Sequence, residues 1–158
     1  MAAHYEFLST WLLPAPRERI WDTIRDAAAW PEWWRGVVSV VELDNGDEQR
    51  IGSRYRVRWR SAIPYAIEFD FEVRELDPPA YMAGRARGGL DGTGAWRLYE
   101  ERGVTAVTYD WRVATTKAWM NTVAPIARPV FAWNHDWVMA RGGEGLARRL
   151  GVELLASG

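Results

Sequence analysis

The sequence predicts an α+β fold in which one antiparallel sheet carries a single long C-terminal helix across its apolar face. Two patterns and their order point to it. From Val37 to Thr115 apolar residues recur at every second position, the period of strands with one buried face. From about Lys117 to Leu150 the step becomes three and four, and Trp119, Val123, Ile126, Val130, Trp133, Trp137, Ala140 and Ala147 form one stripe. A sheet and a helix that are each apolar on one side bury those sides against one another.

The elements follow in order along the chain. Residues 4–13 read as a strand, ended by Pro14-Ala15-Pro16 because neither proline can donate to a ladder. Pro16 suits a helix start, and Arg17 to Asp26 carries Ile20, Trp21 and Ile24 on one face. A second short helix starts at Pro31, holds Trp33 and Trp34, and stops at Gly36. Val37 to Leu43 is a strand closed by Asp44-Asn45-Gly46-Asp47, where Asn-Gly is a hairpin signal.

The next two strands specify their own register. In Ser53 to Arg60, Tyr55, Val57 and Trp59 alternate with four arginines; in Tyr65 to Arg74, Tyr65, Ile67, Phe69, Phe71 and Val73 alternate with acids. A hairpin around Ser61 to Pro64 sets Arg58, Arg56 and Arg54 opposite Glu68, Asp70 and Glu72, and Trp59, Val57 and Tyr55 opposite Ile67, Phe69 and Phe71. A slip of one residue would bury the arginines, so the register is firm. The arginine face therefore reads as a solvated charge ladder rather than a nucleic-acid surface.

Asp77-Pro78-Pro79 turns the chain into Tyr81 to Arg87, where either Gly84 and Ala86 or Arg85 and Arg87 point inward. A glycine-rich loop, residues 88–92, leads to a strand at Ala95 to Glu101. Arg102-Gly103 then leads to Val104 to Thr115, with Val107, Tyr109, Trp111 and Val113 on one face. In the final helix Pro125 and Pro129 predict a kink or a separate first segment, and Gly142, Gly143 and Gly145 argue against an unbroken helix.

Composition sets the bounds on function. The 158 residues form one domain, 1–158, without linkers or repeats. Such a chain buries roughly 68–70% of its unfolded surface, enough for a core without staples. The absence of cysteine excludes disulfides, thiolate catalysis, iron–sulfur clusters and sulfur-ligated zinc. With His4 and His135 as the only histidines, neither a metal centre nor a cofactor is expected. Twenty basic against 21 acidic residues provide no global field for nucleic acid or anionic membrane. The apolar stretch from Phe7 to Ala15 follows Glu6 and has no basic leader, so it does not read as a signal peptide. No apolar run reaches the ~20 residues of a spanning helix, and a cytoplasmic location without integral membrane association is expected.

Several segments resemble one superfamily. Pro14-Ala15-Pro16-Arg17-Glu18-Arg19-Ile20-Trp21 joins the first strand to the first helix, and Trp30-Pro31-Glu32-Trp33-Trp34 matches a tryptophan-proline-x-tryptophan pattern in the second. Gly92 to Leu98 followed by Gly103-Val104-Thr105 is similar to a late hairpin, and Asn134 to Met139 with Gly145 to Leu150 to a terminal helix. In this order they resemble the SRPBCC (START-like) superfamily, and more narrowly its bacterial polyketide cyclase/dehydrase and lipid-transport proteins. The resemblance implies a helix-grip fold, a seven-stranded sheet wrapped around the last helix, with an apolar cavity between them. It brings no universal catalytic motif, and the fold hosts cyclases, carriers and receptors alike.

The eleven tryptophans then read as two facing aromatic walls. The candidate ligand-binding residues are Tyr55, Trp59, Tyr65, Phe69 and Phe71, with Trp96, Tyr109 and Trp111, from the sheet, and Trp119, Trp133 and Trp137 from the helix. No catalytic residue is assigned: Asn134, His135 and Asp136 are consecutive on a helix and cannot form a triad, and His135 falls near the back of the Trp133–Trp137 stripe. The leading expectation is a module that binds a small hydrophobic, aromatic or lipid-like molecule. A cyclase or dehydratase using the same cavity is the second reading, through positioning and general acid–base help. An interaction or membrane-associated factor using exposed Trp33 and Trp34 is the third. Oligomeric state is left open.

Overall fold

The computed structural model describes residues 4–60, 66–116 and 118–158, with only the backbone of 119, 120, 123, 124 and 127. Strand β1 (His4–Leu13) leads into α1 (Arg17–Arg25), a 3-10 turn (Ala27–Ala29) and α2 (Trp30–Trp33). The strands β2 (Val37–Asp44), β3 (Arg54–Arg60), β4 (Ala66–Asp77), β5 (Tyr81–Gly88), β6 (Leu90–Glu101) and β7 (Val104–Thr115) follow. Helix α3 (Ala118–Leu150) and a two-residue strand β8 (Ala156–Ser157) close the chain. All strands lie in one sheet in the order β2-β3-β4-β5-β6-β7-β1-β8. The expected seven strands thus become eight, because the tail after α3 folds back and pairs Ser157 with Trp11 on the otherwise open edge of β1.

The β3–β4 register is the one the sequence specifies: Tyr55 faces Phe71, Val57 faces Phe69 and Trp59 faces Ile67. On the outer face Arg56 meets Asp70 with two hydrogen bonds of 2.9 and 3.2 Å, while Glu72 turns to Arg74 at 3.5 Å. The turn between these strands, Tyr65 included, lies outside the described residues. On β5 it is Gly84 and Ala86 that are buried, whereas Arg87 is exposed and Arg85 pairs with Asp91 at 2.9 Å. A Cβ at Gly84 would lie 2.7 Å from the Phe71 ring, so glycine here lets that ring lie flat on the neighbouring strand. The glycine-rich loop is shorter than expected, since β6 begins at Leu90 and only Gly89 separates it from β5. Asn45-Gly46 belongs to a longer connection, residues 45–53, and not to a two-residue hairpin.

Helix α3 is one unbroken helix through Pro125, Pro129 and all three glycines. The glycines select its buried face. The Trp34 indole donates to the Val138 carbonyl at 2.8 Å and lies against Gly142; the Trp11 indole donates to the Met139 carbonyl at 3.0 Å and lies against Gly143. A Cβ on Gly145 would overlap the Trp33 carbonyl oxygen. The helix therefore docks along Phe131, His135, Val138, Gly142 and Leu146; of the described side chains of the predicted stripe, Ala147 is buried and Trp137 packs against the core, while the rest up to Trp133 face away. Ile126 and Trp133 are 87% and 53% exposed, and Val130 is exposed with them. His135, expected at the back, is buried against the sheet. The far end of α3 is fastened by Arg19, which donates to the Leu150 carbonyl at 2.6 Å, one of the last carbonyls without an intrahelical partner.

Trp33 and Trp34 are 6% and 1% exposed, so the expected surface patch does not exist. They belong to a continuous aromatic core in which Trp34 contacts the Trp11, Trp30, Trp59 and Trp96 rings at centroid distances of 5.2–6.2 Å. Among the described residues no helix is long and apolar enough to cross a membrane.

Candidate functional site

The larger cavity, about 300 Å³, lies under α1 and α2 on the concave side of the sheet. Its floor is contributed by five strands: Tyr55, Val57 and Trp59 on β3, Phe69, Phe71 and Val73 on β4, Met82 on β5, Trp96 on β6 and Tyr109 on β7. The period-two alternation puts all of these on one face. Trp96 and Tyr109 stack at 4.2 Å, and Trp59 meets Phe69 edge to face at 5.3 Å, so the floor is held by ring-on-ring packing. Trp21, Ile24 and Trp30 form the roof; the Trp30 indole donates to the Ile24 carbonyl at 2.8 Å, which ties that ring to the end of α1.

Charge is confined to one end. Arg25, Glu48, Gln49 and Arg50 line the cavity beside exposed Pro78 and mark its mouth. Arg50 is placed by its loop. The Asp47 carboxylate accepts from the Gln49 and Ile51 amides, and the Arg50 carbonyl accepts from the Ser53 hydroxyl at 2.8 Å, holding Arg50 at φ 73°. Left-handed backbone is unfavourable for arginine and persists where its surroundings over-determine it. The guanidinium donates to Tyr55 Oη at 3.0 Å and to Glu42 at 3.1 Å, contacts that push its pKa further up and keep it charged. Deep in the cavity burial raises the pKa of the Tyr109 hydroxyl, which stays neutral.

Six of the sequence-predicted residues meet here: Tyr55, Trp59, Phe69, Phe71, Trp96 and Tyr109. Trp111 instead lines a second, smaller cavity under α3. Trp133 is exposed, and Trp137 is half-buried with the Arg35 and Arg141 guanidinium groups 5.7 and 5.5 Å from its ring, so neither belongs to a wall. Tyr65 and the Trp119 side chain lie outside the described residues. The smaller cavity has the expected position between sheet and terminal helix, with Trp59 and Trp111 on its sheet side; no described residue of α3 lines the larger cavity, because Trp11 and Trp34 fill the space where the helix glycines approach. Trp21, Trp30 and the 48–53 loop are not among the residues singled out from the sequence. Trp21 could have been found from the amphipathic face of Arg17 to Asp26 and Trp30 from the Trp30-Pro31-Glu32-Trp33-Trp34 segment, whereas nothing in the loop's pattern distinguishes Arg50.

Among the described residues no three His, Cys, Asp or Glu side chains converge as a metal site.

A curved antiparallel sheet, a long closing helix and an aromatic cavity define a START-like cavity domain. The chain belongs to the polyketide cyclase / dehydrase and lipid transport family, whose sequence model matches residues 7–151. No curated protein matches it at the sequence level. Its fold is similar to a protein from Thermus thermophilus, with TM-score 0.72 and 16% identity over 92% of this chain and 99% of that one. A START superfamily protein from Mycobacterium smegmatis matches with TM-score 0.69 and 14% identity over 94% of this chain and 99% of that one. The Zhui aromatase/cyclase from Streptomyces sp. R1128 matches with TM-score 0.66 and 16% identity over 95% of this chain and 96% of that one. The chain spans about half the length of the di-domain ARO/CYC proteins BexL and StfQ, 50% and 52% respectively. At these identities the likeness is one of fold.

Proposed function

We propose that the protein binds a small, mainly aromatic or lipid-like molecule in the larger cavity, with its apolar body among Trp59, Phe69, Trp96 and Tyr109 and an oxygen-bearing end towards Arg50 and Tyr55. The observation that carries this reading is the separation of chemistry along one cavity of about 300 Å³, aromatic at depth and charged at the mouth. That volume is at the lower end of small-molecule sites. Burying two or three rings against such walls supplies the binding energy, since roughly 25 cal/mol is gained per Å² of apolar surface removed from water. Titration with N-phenyl-1-naphthylamine is expected to give saturable fluorescence enhancement at one site per chain. A protein that never enhances the dye would end this reading.

The Arg50–Tyr55 pair favours a second reading, cyclisation or dehydration of a polyketide-like chain. A charged guanidinium and a phenol hydrogen-bonded to it at 3.0 Å can polarise one carbonyl, and the aromatic walls fold the rest of the chain near it. On this reading a linear poly-β-ketone thioester cyclises faster with the protein than in buffer, and Arg50→Gln loses the acceleration while retaining dye binding. Equal rates with and without protein would leave binding alone.

A further inference from the structure

The second cavity, about 70 Å³, lies between α3 and the same face of the sheet, walled by Phe7, Ile67, Trp111, Val113 and Phe131. Four polar side chains on its wall have atoms without a hydrogen-bond partner: Tyr5 through its hydroxyl, Trp59 through Nε1, Asn134 through Oδ1 and His135 through both ring nitrogens. Tyr5 and His135 are only 6% and 8% exposed. Buried polar groups nearly always find partners, so four such side chains from β1, β3 and α3 converging on one chamber call for an occupant able to pair with them.

The surroundings define that occupant's chemistry. His135 stacks on Phe7 at 4.1 Å, and Tyr5 lies between Phe7 and Phe131 at 5.9 Å from each, so both polar rings are held in place. Asp136 Oδ1 is 3.6 Å from His135 Nδ1, beyond hydrogen-bond reach, on a side chain that is mostly exposed. Burial lowers His135 to about 4 and raises Tyr5, so at neutral pH the imidazole offers one donor and one acceptor and the phenol one of each. No described lining residue of this chamber carries a charge at that pH, in contrast to Arg25, Glu48 and Arg50 in the larger cavity. Two charges flank the wall from exposed side chains outside the lining, Arg128 at 4.6 Å from the Tyr5 ring and Asp136 beside His135; a charged group inside would be desolvated, whereas a neutral hydrogen-bonding group would be matched. The volume is well below the ~150 Å³ that takes benzene, so it fits a group of a few atoms. Among the described residues Trp59 alone lines both cavities, so its ring stands between them.

We propose that this chamber is a second binding site, for the uncharged ketone or hydroxyl end of a ligand whose aromatic body occupies the larger cavity, with Trp59 as the movable partition between the two. Tyr5 and His135 donate to the ligand oxygen, and Asn134 accepts from a ligand hydroxyl. The proposal rests on the larger cavity being a ligand site.

The test compares 2-acetylnaphthalene with 2-ethylnaphthalene, equal in shape but differing in a carbonyl, as competitors of N-phenyl-1-naphthylamine on the full chain. The ketone is expected to compete about 5–10-fold better, the range of one or two hydrogen bonds, and the ratio to fall towards one in Tyr5→Phe and His135→Phe. In the unmodified protein the ring ¹⁵N resonances of His135, told apart from those of exposed His4, should move with the ketone and stay still with the hydrocarbon. No preference, or a preference that survives both variants with unmoved His135 signals, would mean the chamber holds ordered water only and overturn the proposal. If neither naphthalene displaces the dye, the larger-cavity reading is what fails. Acetone alone then reports on the chamber: a His135 shift retains the site, and no shift removes it.

Discussion

Arg50 and His135 are the two side chains whose surroundings most constrain what the protein can do; Arg50 does not stand out in the sequence, and His135 stands out there but on the wrong face of its helix. Arg50 sits in a connection without periodicity, and its position depends on the Asp47 turn and the Tyr55 hydroxyl, contacts that exist only once the loop has closed. The apolar pattern puts His135 at the back of α3 because Trp133 and Trp137 outweigh it in hydrophobicity, whereas the helix is oriented by its glycines. Its burial has a consequence for stability. The folded pKa is lowered from 6.5 to about 4, chiefly by desolvation, with Asp136 opposing. Between those values the unfolded chain takes up a proton that the folded chain refuses, so this contribution is complete above pH 6.5 and is lost as pH falls towards 4. Tyr5 from β1 and Asp136 from α3 are the titratable groups beside it. Urea unfolding at pH 7 and pH 4 should show the wild type losing about 3 kcal/mol more than His135→Phe. Parallel losses in the two proteins would place the imidazole in contact with water.

At the scale of elements, what was legible is what has a strict period. The β3–β4 register followed from two strands whose charges and rings alternate in phase, and it is reproduced pair for pair. The face of α3 was not legible, because glycine contributes nothing to an apolar stripe although it permits the closest approach. Trp11 and Trp34 reach the Met139 and Val138 carbonyls only where no Cβ intervenes. A Cβ at Gly142 would stand 2.6 Å from the Trp34 ring, so Gly142→Ala forces a displacement of the helix or the indole. Overpacking of this kind outweighs the helix propensity that alanine recovers, and thermal or urea unfolding should show a net loss of about 1–2 kcal/mol. A stabilised Gly142→Ala protein would mean that the indoles do not press on the helix. Gly145→Ala, which meets backbone rather than a ring, should be the worse of the two.

For the molecule as a whole, the sequence makes the architecture plain and the cavity only in part. A cavity between sheet and terminal helix is present but is the smaller of the two; the larger opens beneath α1 and α2, and the described rings expected on the helix wall, Trp133 and Trp137, line neither. Cavity position depends on how eleven tryptophans share space in three dimensions, which no one-dimensional pattern encodes. The exposed residues Ile126, Val130 and Trp133 provide a competing apolar surface for any hydrophobic probe, and the decisive comparison must separate the two. N-phenyl-1-naphthylamine titrations of the wild type, Val57→Trp and Trp133→Ala do so, because Val57 points into the cavity and Trp133 into solvent. Dye affinity is predicted to fall at least about 10-fold in Val57→Trp, where the added ring fills the site, and to stay within about 2-fold of wild type in Trp133→Ala. Binding that survives Val57→Trp and disappears in Trp133→Ala would contradict a ligand-binding cavity beneath the short helices.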